Sequence, residues 1–311
     1  MKQIITGPLH FLENVVSTIL VTFHTAIGWV TKNESIRWTL SIIGLVVLIR
    51  IILIPLFVKQ IKSQRALTAL QPHMKEIQKK YKDDRQKQSE EMMKLYKEHK
   101  TNPLASCFPI LAQAPIFFSL FTVLNGFAHK DAAGNAAPLT HAAIMTKELA
   151  LSASKANLFG AKISDSFMHN TGGAAKLVTV ILIVFMSATT FTTQRQLMMK
   201  GMPKMDSSNN MMLQQQKIML YVFPVIFALS GVNFPIGVLI YWSTTNLWTF
   251  GQQFYVIKRN PTPGSPAYEE LQKKKAQKSG VVESDPTLEA DEGPKKPAQR
   301  QQPKKNNKKK K

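Results

Sequence analysis

The stretch Ile36–Val58, IRWTLSIIGLVVLIRIILIPLFV, decides the fold. It is long and apolar enough to cross a bilayer as a helix. Arg37 lies at one rim of it, but Arg50 does not. Arg50 stands about eight residues from the far end, roughly 12 Å at helical rise. A charge at that depth is expensive and by default marks a functional site. Neither this segment nor the other apolar stretches contain Asp or Glu. The guanidinium therefore needs water, backbone carbonyls or an acidic group that visits.

The rest of the 311-residue chain alternates very apolar blocks with Lys-rich ones. It is 44% hydrophobic, yet its formal charge is +21, and its mean hydropathy of -0.09 averages the two kinds of block. Apolar blocks this long have no use in a soluble core. The basic excess points to an anionic partner: lipid headgroups, RNA or acidic polypeptide. Cys107 is the single cysteine, which rules out an internal disulfide and reads as a packing residue in an apolar run.

Five spans are expected, at 36–58, 103–128, 174–193, 218–232 and 234–257. The last two are separated by little more than Asn233 and form a tight hairpin. Pro109, Pro115, Pro224 and Pro235 interrupt three of them, as membrane helices tolerate when neighbours satisfy the freed carbonyls. Lys and Arg crowd into 59–102, into 194–217 (Arg195, Lys200, Lys204, Lys217) and into 258–311. Alternating spans put all three on one side, which the positive-inside rule makes the cytoplasm. The loop 129–173 falls outside, the C-terminus inside, and Arg50 in the inner leaflet.

Residues 1–35 read differently. His10, Glu13, Asn14, Ser17, Thr18, His24, Thr25 and Gly28 recur on one face. Leu12, Val15, Val16, Ile19, Leu20, Phe23, Ile27 and Val30 occupy the other. This moment predicts an amphipathic helix on the outer interface; a sixth span is the alternative. On the cytoplasmic side, 59–102 predicts a helical hairpin. Pro72 opens one helix, with Met74, Ile77 and Tyr81 on a face; Asp83 and Asp84 break and cap; a second helix carries Met92, Leu95 and Tyr96. The tail 258–311, rich in Pro, Lys and Gln, cannot bury a core and is expected to be disordered. It suits ribosomal RNA, anionic lipid or simple reinforcement of topology.

Catalytic constellations are missing. The seven histidines show no metal-ligand spacing, and no glycine-rich phosphate loop occurs. Ser152-Ala-Ser-Lys155 matches SxxK without its companion motifs and reads as coincidence. No intramembrane acid is present for protease chemistry or proton coupling. These absences predict neither an enzyme nor a coupled pump, and no cofactor or metal. Neutral polar residues do occur in the spans, among them Gln113, Thr190, Tyr241 and Asn246. They either hydrogen-bond between helices or, with Arg50, line a wet groove. An anion-selective channel or passive transporter is a competing function, and a holding site for folding membrane proteins is another.

The strings LIRIILIPL, ALQPHMKEIQKKY, NPLASCFPILAQAPIFFSLF, QQKIMLYVFPVIF and NFPIGVLIYWSTTNLWTFGQQ resemble, in order and spacing, the YidC-type membrane protein insertase family. The resemblance implies an all-α integral membrane protein: five spans around a hydrophilic groove that is open to cytoplasm and lipid but closed outside. It puts the groove arginine at Arg50, the Gln-x-Pro at Gln113 and Pro115, and aromatic contacts for a passing helix at Tyr241 and Trp242. It implies insertion of nascent membrane proteins, with Arg50 attracting their acidic extracytoplasmic tails. Expected partners are those nascent chains, membrane lipids, the ribosome (through 258–311 and the cytoplasmic loops) and the Sec translocon, with no DNA. The chain departs from many Gram-positive members in showing no lipoprotein cysteine near its start, which leaves its N-terminal processing open; the lack of a large domain before the spans predicts a Gram-positive-like member.

Overall fold

The computed structural model describes residues 2–99, 101–102, 108–126, 144–168, 172–201 and 211–279. Cys107, residues 129–143 and 169–171 of the expected outer loop and the tail beyond Ser279 lie outside the described residues. The chain forms two units, Met1–Leu271 and Gln272–Lys311.

Eleven helices account for most of the described residues: α1 Lys2–Ile27, α2 Glu34–Ile52, α3 Ile54–Ala69, α4 Gln71–Lys80, α5 Arg85–Glu98, α6 Phe108–Gly126, α7 Lys147–Lys155, α8 Gly173–Gln196, α9 Met211–Gly231, α10 Ile236–Arg259 and α11 Pro266–Ser279. Strands β1 (Asn157–Leu158) and β2 (Ala161–Lys162) form a small antiparallel hairpin after α7. A π-helical turn, Leu197–Gly201, prolongs α8.

Among the described residues two helical stretches are long and apolar enough to cross a membrane: Glu34–Ile52, with hydropathy 1.9, and Gly173–Gly201, with 2.0. On α8 the residues Leu177, Val180, Ile181, Val184 and Phe185 recur at helical spacing and are all exposed. A continuous apolar face turned outwards is the reverse of a soluble helix and fits contact with lipid.

The stretch 36–58 is not one helix. α2 ends at Ile52, Leu53 serves as its C-cap with ψ −1°, and α3 starts at Ile54. Pro55 explains the break. It has no N–H to continue the ladder, and it fits the first turn of a new helix. α3 then runs on past the apolar block through Lys59, Lys62 and Arg65. Pro72 sits in the first turn of α4. Asp84 caps α5 by accepting from the Lys87 N–H at 3.0 Å. The two helices meet where the Tyr96 hydroxyl reaches the Met74 sulfur at 3.8 Å, and burial pushes the Tyr96 phenol up from its ordinary pKa.

α1 folds back along α2. Gly28 lies against Arg37, and the Phe23 ring lies so close to Gly44 that an added Cβ would stand 2.9 Å from it. Glycine is needed there to let the helices approach. The faces of α1 differ from the expectation. Glu13, Ser17 and His24, read as part of the polar face, are buried in the protein beside Val16 and Leu20, while Phe11 and Val15 are exposed. Short polar side chains are stable inside the protein when partners are at hand, and His24 finds Glu34 and Arg37 there.

The core gathers at one end of the bundle. It combines Trp38, Ile42, Leu45 and Val46 of α2 with Leu120, Val123 and Leu124 of α6. Ala175 and Val178 of α8 and the first residues of α10 complete it. Residues 144–168 close this end. Ala150, Ala153, Ala161 and Ile163 are buried, and backbone carbonyls of Ile163 and Asp165 accept from the N–H groups of Gly237 (2.7 Å) and Ile236 (2.8 Å). The start of α10, which has no side-chain cap, thus has its unpaired donors satisfied by the loop.

Candidate functional site

Three helices bring three predicted residues together. Arg50 comes from the last turn of α2, Gln113 from α6 and Tyr241 from the first half of α10. The Gln113 Nε2–H donates to the Tyr241 hydroxyl oxygen at 2.7 Å, leaving that hydroxyl's own proton for another partner. Tyr241 is near enough to Arg50 for the two to interact electrostatically. Arg50 is half-buried, and no carboxylate among the described residues lies within ion-pair distance of it. Two residues after Gln113, Pro115 removes a backbone donor from the middle of α6, loosening the ladder beside the polar group. The result is a phenol and an amide bonded to each other, with a cation in electrostatic reach of the phenol.

The other candidates stand apart. Trp242 belongs to an aromatic cluster, stacked on Phe117 at 5.3 Å and edge-on to Phe234 at 4.8 Å and Phe227 at 5.5 Å. It joins α6, α9 and α10 rather than facing Arg50. Thr190 and Asn246 are half-buried on α8 and α10, without a contact that ties them to the Arg50 cluster.

Most span hydroxyls neither bridge helices nor await a ligand. Thr189, Thr192 and Thr193 donate to carbonyls four residues back, at 2.8, 2.7 and 2.7 Å. Thr244 and Thr249 do the same at 2.8 Å each. This back-bonding satisfies a hydroxyl in an apolar setting at the expense of a slight helix bend.

A second polar cluster holds the packed end and was not read from the sequence. The Glu34 carboxylate accepts from the Ser152 hydroxyl at 2.6 Å, pairs with His24 at 2.9 Å and pairs with Arg37. The Trp38 indole N–H donates to the Ser152 oxygen at 3.0 Å, and the His24 ring stacks on Trp38 at 4.3 Å. Ser152, dismissed as part of a chance motif, thus anchors α7 to α2. The available signal was Thr146, the N-cap of α7, followed by a run of small residues fit for a close-packed helix.

Helices with an outward apolar face, one of them apolar from Gly173 to Gly201, define a helical membrane protein. Residues 29–263 match the 60Kd inner membrane protein family, and the chain belongs to this YidC/Oxa1 family. It is 51% identical over 265 residues to the membrane protein insertase YidC of Streptomyces avermitilis, covering 83% of this chain and 60% of that one. It is 40% identical over 286 residues to the protein of that name in Tropheryma whipplei, covering 85% and 90%. For the one in Bifidobacterium longum the figures are 33% over 281 residues, 87% and 80%. This chain thus spans 60% of the length of its Streptomyces relative. A crystal structure of an active YidC insertase with its first transmembrane domain resolved is 28% identical, with a TM-score of 0.47, covering 78% of this chain and 46% of that one.

Proposed function

We propose that the protein is a membrane protein insertase and chaperone of the bacterial plasma membrane, with five spans and a cytoplasmic C-terminus. One observation carries this reading: Arg50, with no carboxylate at ion-pair distance among the described residues, lies in electrostatic reach of Tyr241, where the packed core of the bundle ends. A nascent segment arrives from the ribosome near the α4–α5 hairpin. Its acidic leading tail enters from the open end and is attracted by Arg50. The polar surroundings lower the desolvation cost of that tail. The apolar segment then leaves sideways into lipid. A membrane potential adds about 2.3 kcal/mol per charge per 100 mV, and the chain itself performs no catalysis. Burial at the far end favours this reading over an anion-selective channel, which needs a water path through that same end.

The test is depletion of the protein in its host, complementation with variants, and quantification of the membrane proteome. Arg50→Ala is expected to reduce insertion of proteins with acidic leading tails about tenfold, the scale of one lost charge-assisted contact. Arg50→Lys is expected to restore it if charge suffices. Normal insertion of such proteins by Arg50→Ala would end the electrostatic-capture reading.

A further inference from the structure

A cavity of about 800 Å³ lies between α2–α3 and α10, beyond the packed core. Its size falls within the roughly 300–1,000 Å³ of typical ligand sites. Its walls are mostly apolar, with Ile43, Val47, Phe57, Leu247 and Trp248 among them, and Arg50 is not part of them. Lys62, Arg65 and Asn260 also line it. An Arg65 Nη2–H donates to the Asn260 carbonyl, which fixes the guanidinium beside the end of α10. Lys258 and Arg259 occupy the last turn of that helix. Neither α3 nor α10 contains an acidic residue, so neither helix supplies these cations with a counter-ion. The lining residues Ile54, Val58, Leu247 and Tyr255 are exposed, so the cavity opens sideways as a slot.

Gly251 gives an independent sign of an occupant. Glycine within a helix is destabilising relative to alanine, so its presence calls for a cause. At Gly44 and Gly231 the cause is close packing, since a Cβ would meet Phe23 at 2.9 Å or Ile183 at 3.0 Å. At Gly251, which lines the slot, a Cβ would meet nothing within 4 Å. The glycine widens a space that the protein's own side chains do not use.

We propose that this slot holds an acyl chain of an anionic glycerophospholipid from the cytoplasmic leaflet, with the lipid phosphate at Lys62 and Arg65. An apolar trough with cations at one end matches an amphiphile with a single anionic head, and basic pockets between helices on the cytoplasmic side bind such heads. The assignment rests on the orientation proposed above and not on insertion activity, and its readouts do not involve insertion.

The test uses the full chain in phosphatidylcholine nanodiscs carrying equal small fractions of brominated phosphatidylglycerol or brominated phosphatidylcholine. The Trp248 fluorescence is taken as the difference between wild type and Trp248→Phe. Brominated phosphatidylglycerol is expected to quench it at roughly fivefold lower mole fraction, the scale of one surface cation. Lys62→Gln/Arg65→Gln is expected to abolish the preference, and Lys62→Arg/Arg65→Lys to keep it. Gly251→Phe is expected to weaken quenching by both lipids. Equal quenching by the two lipids in wild type, or a preference that survives the Gln pair, would overturn the proposal. A photo-crosslinker at position 251 in cells separates the occupants. An adduct of phospholipid mass supports the proposal, and capture of polypeptide alone overturns it.

Discussion

The two halves of α10 belong to different environments. Every buried residue of this helix lies in Ile236–Ser243; from Thr244 to Arg259 none is buried. The first half is enclosed by α2, α6, α8 and the loop that caps it. The second half borders the slot and ends in Lys258 and Arg259. One continuous helix is therefore buried core at one end and a partly exposed wall of the slot at the other. Arg50 and Tyr241 meet near the change. The contrast teaches that the site is defined by where packing stops, more than by any special local geometry.

The strongest way to break this comparison is to truncate equivalent residues on each side. Leu239 is 0% exposed and Leu247 is 54% exposed. Leu239→Ala is expected to lower stability by about 2–5 kcal/mol, and Leu247→Ala by less than about 0.5 kcal/mol. Denaturant titration of the purified protein reads both; equal losses would erase the distinction. Two glycines offer the next contrast. Gly44→Ala drives a methyl group into the Phe23 ring and is expected to cost about 1–3 kcal/mol. Gly251→Ala, facing open space, is expected to be neutral or to stabilise by up to about 1 kcal/mol through helix propensity. Thermal unfolding midpoints decide the signs. Removing the hydroxyl in Ser152→Ala strips one acceptor from Trp38 and one donor from Glu34. A loss of about 1–2 kcal/mol is expected, read as faster amide exchange in α7 with α10 beyond Thr244 unchanged. The smallest effect belongs to the boundary. Tyr241→Phe keeps the ring and removes the hydroxyl that interacts with Arg50 and accepts from Gln113. Insertion of acidic-tailed proteins is expected to fall about fivefold, near the value of one hydrogen bond. The same loss for neutral-tailed proteins would show that the hydroxyl acts through packing alone.

Much of the site was legible because it depends on chemistry that lipid makes conspicuous. An arginine within an apolar run stands out in one dimension, and Tyr241, within electrostatic reach of it, does bond Gln113. Helix starts at Pro72 and Asp84 were legible too, since a missing N–H and a side-chain acceptor act locally. The break at Leu53 was signalled by Pro55 but lost in the continuous apolarity around it. The span threonines carry no clear signal, because a hydroxyl that bonds its own helix, as Thr189, Thr192 and Thr193 do, has the same sequence signature as one that lines a groove. The closure of the packed end was illegible. Its contacts join Ser152 to Glu34, 118 positions apart, and α10 to backbone carbonyls that carry no sequence signal. The polar stripe of α1 was legible as a stripe, but the burial of its His24 was not, because the partners of that histidine, Glu34 and Arg37, come from the next helix.

The backbone bonds from Ile236 and Gly237 to Asp165 and Ile163 have a consequence for how the chain itself matures. Chain order supplies the acceptors first and the donors some seventy residues later, at ribosomal rates several seconds apart. A loop folded before the last hairpin emerges would act as its docking template and set the depth at which that hairpin comes to rest. A protein proposed to seat others in a membrane would then carry, in its own loop, the gauge for seating its final helix.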